Sequence, residues 1–245
     1  MNKLNLKKHK ILLTGGHAGT TALAVIEEII LQSKNHNHDI YWIGVKHAIE
    51  GKRTETLEHK LFSKLNVSYK TIRSGRFQRR WSIHTIPSLV KIPFGFLQAF
   101  YFVATIRPSV TISFGGFAAL PVVFWSWVFQ IPVIIHEQTV AAGLANKLSV
   151  PFARRILLAR ESSLEYFPKE KSVVVGNPVM ALVREVVVKK KMGRQPVILI
   201  TGGSRGSQRM NVVIDEVLET LLKKYKIIHL TGDLDYEHFK SRQIL

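Results

Sequence analysis

Short apolar runs, each closed by glycine or a polar cluster and followed by a stretch of helical spacing, divide the chain from its first strand onward. The first, Ile11-Leu12-Leu13-Thr14, stops at Gly15-Gly16-His17 and leads into a helix predicted over 22–31. A second strand is predicted at 40–44, a polar helix around 54–65 and a short strand at 67–72. A strand at 110–113, a helix over 118–129, a strand at 133–135, a helix over 143–148 and strands at 155–158 and 173–175 follow. These runs are rich in Val, Ile and Leu without polar alternation, as strands buried on both faces of a parallel sheet are. Strand–helix–strand units repeated in this way predict an α/β fold.

The pattern starts again near the end. Val197-Ile198-Leu199-Ile200-Thr201 runs into Gly202-Gly203-Ser204-Arg205-Gly206-Ser207, then a helix predicted over 208–223 and a strand at 227–230. The Gly176-Asn177-Pro178 turn and the basic stretch 189–194 mark a domain crossing, giving a first domain over 1–177 and a second over 178–245. Both domains open on strand, Thr-Gly-Gly, helix. Two such turns predict doubly wound sheets that face a common cleft, with ligands at the strand C-termini.

The middle of the chain raises the question of membrane spans. Lys91 is the only charge between 83 and 106, and 108–135 has none. A span needs ~20 apolar residues. Pro87, Pro93, Pro108, Pro121 and Pro132, with Gly115 and Gly116, predict pieces shorter than that.

Composition narrows the function classes. At 245 residues and 46% hydrophobic content the chain can bury real cores. Without cysteine there is no disulfide framework and no thiolate zinc site, in keeping with a reducing cytosol. The N-terminal Lys3, Lys7, Lys8 and Lys10 run is too short and polar for a signal peptide. A net charge of +18 attracts polyanions: nucleic acid, an anionic membrane face or a phosphorylated substrate.

The glycine turns carry the candidate chemistry. A strand that ends in Gly-Gly and reopens as a helix aims free N–H groups and a positive helix end at one point, where anions bind. The same turn can also be only a tight connection. It is not a dinucleotide fingerprint, because the second strand ends at Gly44-Val45 without an acid, and not a P-loop, because no lysine follows its glycines. An attacking hydroxyl needs a base, and His17 or Glu137 at strand ends are available. A solvated or capping role for His17, and a structural hydrogen bond from Glu137 to a neighbouring loop, are the alternatives.

Six stretches share the order and spacing of one family: Leu13-Thr14-Gly15-Gly16-His17 with Ala22-Leu23-Ala24, Ser113-Phe114-Gly115-Gly116-Phe117, His136-Glu137-Gln138, Gly143-Leu144-Ala145-Asn146-Lys147, Val175-Gly176-Asn177-Pro178-Val179 and Gly202-Gly203-Ser204-Arg205-Gly206-Ser207. Together they resemble the MurG family of bacterial lipid I N-acetylglucosaminyltransferases. The resemblance implies a GT-B architecture of two Rossmann-like domains, here with the second incomplete. It implies UDP-N-acetylglucosamine as donor and undecaprenyl-diphosphate-linked N-acetylmuramoyl pentapeptide as acceptor, with lipid II, the peptidoglycan precursor, as product. No cofactor and no metal are expected, and a single displacement by the acceptor C4 hydroxyl inverts the anomeric centre.

By the same likeness His17 is the first choice of base. Thr14, Gly15, Gly16, Gly202, Gly203 and Ser204 are implied on the donor side, and Gly15, Gly16, Gly115 and Gly116 at the acceptor diphosphate. Two donor positions depart from the family pattern: Thr139 stands where asparagine is usual and Met180 where arginine is usual. Thr139 still forms a hydrogen bond, but Met180 replaces neither the charge nor the fork of a guanidinium. Arg184 is spaced to compensate. About a third of a usual member, in the donor domain, has no counterpart.

Basic charge and large rings combine at Arg76, Arg79, Arg80, Trp81, Phe94, Phe96 and Trp125, predicting peripheral contact with an anionic leaflet at the cytoplasmic face of the cell membrane. Phe102 and Trp127 are predicted as sheet-covering core. A nucleic-acid-binding protein is the competing class, but no nucleic-acid motif accompanies the charge, and no nucleic-acid partner is expected. A third reading is an acceptor-binding subunit that needs a complementing C-terminal half.

Overall fold

The computed structural model describes residues 9–16, 19–32, 38–46, 56–62, 64–73, 85–186, 195–203 and 206–241. The chain forms two compact units, Met1–Glu185 and Val186–Leu245.

The first unit is built on β1 (His9–Thr14), β2 (His38–Gly44), β3 (Val67–Thr71), β4 (Val110–Ser113), β5 (Val133–Glu137), β6 (Arg155–Leu158) and β7 (Ser172–Val174). All pair in parallel, in the order β3-β2-β1-β4-β5-β6-β7. Adjacent residues of β1 serve opposite faces. Leu13 packs with Trp42, Phe62 and Phe114, and Leu12 with Ile43, Val103 and Val122. Both leucines are fully buried, so the strand shows no polar alternation.

The helices are α1 (Gly19–Gln32), α2 (Leu57–Phe62), α3 (Thr85–Ile106), α4 (Ala119–Val128), α5 (Leu144–Ser149) and α6 (Ala181–Arg184). Helix α1 starts before residue 22, and the Thr21 hydroxyl in its first turn donates to Gln138 Oε1 at 3.0 Å. Helix α2 is shorter than predicted, and its start is set by Thr56, whose hydroxyl accepts the His59 N–H at 3.2 Å as an N-cap does.

Pro108 and Pro132 separate α3 from β4 and α4 from β5 as predicted, but the other three prolines do not cut the middle region. Pro87 and Pro121 fall in the first turns of α3 and α4, where an N–H is unpaired anyway, and α3 continues through Pro93 for 22 residues. Among the described residues no helix is long and apolar enough to cross a membrane.

The first unit ends at Glu185, later than the predicted crossing at Asn177. Asn177, Pro178, Val179 and Arg184 line a groove of about 520 Å³ with α1, and Arg184 reaches Glu28 of that helix at 3.5 Å. The second unit pairs β8 (Val197–Thr201) in parallel with β9 (Lys226–Leu230) and carries α7 (Gln208–Leu222) and α8 (Tyr236–Ser241).

Candidate functional site

The chain leaves β1 toward β2 on one side, while β4 lies on the other, so strand order reverses between β1 and β4. Ligands of open α/β sheets bind at such a switch point, beyond the strand C-termini. Gly15-Gly16 and Gly115-Gly116 stand there, brought side by side by the pairing of Thr14 with Ser113. The Gly16 N–H donates to the Gly115 carbonyl at 3.0 Å, and Phe114 N–H to the Thr14 carbonyl at 2.9 Å. Gly116 has φ +89°, and a Cβ on it would lie 2.9 Å from Gly16 N. The two turns are interlocked through backbone.

Helices α1 and α4 open after these turns. Neither has an acidic residue in its first turn, and α4 has no side-chain cap. The Ala119 N–H at the start of α4 donates to the Gly116 carbonyl at 3.0 Å, and within these first turns no acid offsets the positive helix ends. Thr14 is not part of that offer: its hydroxyl is fully buried and donates to the Ile43 carbonyl at 2.8 Å. His17 and Ser204 lie outside the described residues.

Glu137 ends β5 at 3% exposure and is surrounded by donors. Oε1 accepts from the Thr139 N–H at 3.0 Å and hydroxyl at 2.6 Å; Oε2 accepts from the Gly143 N–H at 3.1 Å and Asn146 Nδ2 at 2.9 Å. Burial pushes its pKa up, but these four hydrogen bonds outweigh burial and hold it below the usual carboxylate range. Four bonds fill the lone-pair directions of a carboxylate. This is a structural anion clamping the β5–α5 turn, poorly suited to take a proton, and the geometry favours the loop-holding alternative over the catalytic one.

Thr139 is spent in the same clamp, its hydroxyl lying also 2.7 Å from the Ala141 carbonyl. His136 sits beside it with Nε2 3.1 Å from the Gly176 carbonyl, and Nδ1 is buried without a hydrogen-bond partner among the described residues. Burial lowers its pKa, against the opposing pull of the Gly176 bond and the Glu137 charge. Met180 caps α6 with its carbonyl, and Arg184 is engaged with Glu28. The residue that sequence reasoning left without a role is Asn146, although it lay inside one of the family stretches.

In the second unit, Gly203 has φ +82°, and the Gly206 N–H donates to its carbonyl at 3.1 Å. A Cβ on Gly206 would collide with the Thr231 carbonyl, so the β8–α7 and β9–α8 turns touch through backbone, as in the first unit. Asn211 of α7 ties them, donating to the Thr231 carbonyl at 2.8 Å and Asp235 at 2.7 Å.

Residues 11–158 match the family model for the glycosyltransferase family 28 N-terminal domain. The chain belongs to glycosyltransferase family 28. This family 28 chain is 34% identical over 236 residues to a Bacillus cereus protein named UDP-N-acetylglucosamine--N-acetylmuramyl-(pentapeptide) pyrophosphoryl-undecaprenol N-acetylglucosamine transferase 2, with 91% of the chain and 62% of the relative covered. A Staphylococcus carnosus transferase of the corresponding name is 36% identical over 232 residues, at 91% and 61% coverage. The crystal structure of Acinetobacter baumannii MurG matches with TM-score 0.63 and 22% identity over 95% of this chain and 61% of that one, a likeness of fold. The resemblance read from the motifs is borne out, and the chain spans about 62% of the length of the Bacillus relative.

The ring-rich surface of the family 28 chain lies on α3 and α4. Phe94 is 58% exposed and Trp127 50%, with Leu97, Tyr101, Val128 and Phe129 also exposed. Trp127 is thus not core as predicted; it falls in the last turn of α4 and packs on Phe152 at 5.1 Å. Phe96 and Trp125 are half-buried, the Trp125 indole donating to the Phe96 carbonyl at 2.8 Å, and Phe102 is half-buried as well. Arg76, Arg79, Arg80 and Trp81 lie outside the described residues.

Proposed function

We propose that the first unit is the acceptor side of a transferase that moves N-acetylglucosamine from UDP-N-acetylglucosamine to the C4 hydroxyl of lipid I, making lipid II for peptidoglycan. The observation that carries this reading is the pair of interlocked glycine turns at the switch point, with two helix N-termini free of acids behind them. A diphosphate fits that arrangement, since main-chain N–H groups and helix ends supply fixed positive potential.

The transfer is one displacement. The acceptor O4 forms a bond to the anomeric carbon as the bond to the UDP oxygen breaks, and the O4 proton passes to a base. His17 is that base by family likeness, since the Glu137 carboxylate is fully hydrogen-bonded. Charge gathers on the departing UDP, and the Gly202-Gly203-Ser204 turn before α7 is the group assigned to stabilise it.

The exposed rings of α3 and α4 are the surface that meets the cytoplasmic leaflet, with the chain's excess of Lys and Arg attracted to anionic headgroups. A lipid-linked acceptor requires such contact.

The test supplies the chain with labelled UDP-N-acetylglucosamine and a lipid I analogue on anionic vesicles, alone and with the C-terminal part of a relative added in trans. Label transfer with inversion supports the reading. Transfer only with the added part assigns this chain the acceptor-binding role. No transfer in either arrangement, together with no binding of the lipid I analogue, refutes both.

A further inference from the structure

The Asn146 side chain is 4% exposed, and its two ends are treated differently. Nδ2 donates to Glu137 Oε2 at 2.9 Å and lies 3.5 Å from the His136 carbonyl, while Oδ1 is buried with no hydrogen-bond partner among the described residues. A buried acceptor left in that state is costly, and turning the amide over is no remedy, because Oδ1 would then face a carboxylate that can only accept. Glu137 fixes which way the amide points.

What the amide meets on its other side is glycine backbone. A Cβ on Gly115 would lie 2.8 Å from Oδ1 and 2.9 Å from Nδ2, so the Asn146 amide fills the place that a side chain at 115 would take. Gly115 has φ +78°, and its carbonyl receives the Gly16 N–H at 3.0 Å. A contiguous series therefore runs from the Glu137 clamp through Asn146 to Gly115 and on to Gly16.

We infer that Asn146 is a positioning residue for the acceptor diphosphate: anchored on Glu137, its amide seats the Gly115-Gly116 turn, and through it the Gly15-Gly16 turn, in the register that presents the glycine main chain to the ligand, while the Gly16 and Gly115 N–H groups are themselves held by the Gly115 carbonyl and Ser113 Oγ. The inference rests on the reading of these turns as a diphosphate site. The clamp ionises to hold Asn146, Asn146 holds the turn, and the turn holds the ligand. Glu137 acts through this series and does not exchange a proton with the substrate. Misplacement of such groups by about 1 Å costs ~100-fold in rate.

Asn146→Asp keeps the size and sets a second carboxylate against Glu137. In the ¹⁵N-labelled chain it is expected to move the Gly16, Gly115 and Gly116 amide resonances and to weaken binding of inorganic pyrophosphate and of a lipid I analogue by ~10- to 100-fold, the range expected from losing a main-chain hydrogen bond to a charged ligand. Adding Glu137→Gln to that variant restores a donor across the contact and returns the resonances toward their wild-type positions. Glycine resonances that stay in place in Asn146→Asp overturn the inference. If that variant does not fold, the wild type decides: pyrophosphate must shift the Asn146 side-chain NH₂ pair along with the glycine amides, and glycine shifts without an Asn146 response overturn the coupling. If pyrophosphate and the lipid I analogue move nothing in the wild type, the diphosphate role falls, while a displaced glycine turn in Asn146→Asp still establishes the packing link.

Discussion

Gly116→Ala and Gly176→Ala form a matched pair that isolates the interlock of the two turns. Both glycines have positive φ, +89° and +82°, so either alanine carries the left-handed penalty of ~1–2 kcal/mol. At Gly176 that is the whole cost, because among the described residues no atom lies within 4 Å of the added Cβ. At Gly116 the methyl meets Gly16 N, Cα and O at 2.9, 3.0 and 3.1 Å, all backbone. The turns must part, which adds ~1–3 kcal/mol of overpacking and ~0.5–1.5 kcal/mol for the Gly16–Gly115 hydrogen bond. The expected totals are about 2.5–6.5 kcal/mol for Gly116→Ala and about 1–2 for Gly176→Ala. Trp42, Trp81, Trp125 and Trp127 all belong to the first unit, so tryptophan fluorescence in a urea titration reports that unit alone. With m of ~2 kcal/mol/M the midpoints fall by ~1.3–3.3 M and by ~0.5–1 M. Equal shifts for the two variants would refute the interlock.

Glu137→Gln sets an amide donor either against the Gly143 N–H and Asn146 Nδ2 or against the Thr139 N–H, and is expected to cost ~1–3 kcal/mol at pH 7. Because the folded pKa lies below the unfolded one, the unfolded chain binds the proton first as pH falls. The contribution of Glu137 is thus complete above the ordinary carboxylate range and lost toward the lowered folded value. The difference between wild type and variant in urea midpoint should shrink on going from pH 7 to pH 4, and a constant difference would show that the charge is not what the clamp uses. His17→Ala in an active transferase is expected to lower kcat ~100- to 10,000-fold with little change in acceptor affinity, and an unchanged kcat would remove His17 from the chemistry. Replacing Phe94 and Trp127 by serine should weaken co-sedimentation with anionic vesicles while leaving the free energy of urea unfolding within ~1 kcal/mol, since both rings are half or more exposed; unchanged vesicle binding would place the membrane contact elsewhere.

The fold was legible where periodicity and punctuation act alone. Strands at 110–113 and 155–158 stand where the apolar runs put them, because a central parallel strand is apolar on both faces and bounded by turn residues; the strand at 197–201 does so too, although it pairs with β9 in a two-stranded sheet. Helix limits were less legible. Pro93 looks like a breaker, yet it costs α3 one hydrogen bond that packing of Ala99, Val103 and Ile106 against the sheet outweighs. Trp127 carries no mark in the sequence that its turn of α4 leaves the sheet behind.

The site was legible in its backbone and not in its side chains, and the register explains why. The last polar side chains of β1, β4 and β5 all turn back onto the main chain: Thr14 onto the Ile43 carbonyl, Ser113 onto the Gly115 N–H at 3.2 Å, and Glu137 onto the donors of the β5–α5 turn. A hydroxyl or carboxylate at a strand end looks, in sequence, equally ready for a ligand or for a loop. At 3% exposure or less the three have no access to a ligand, and their hydrogen bonds are already made. Glycines 15, 16, 115 and 116 come next along the chain and present main chain where a side chain would stand in the way. Polar side chains at this rim shape the backbone, so the proposed diphosphate is recognised by the backbone they shape. A substitution at Glu137 or Asn146 should therefore act on ligand affinity through the positions of Gly115 and Gly116, without either side chain touching the ligand.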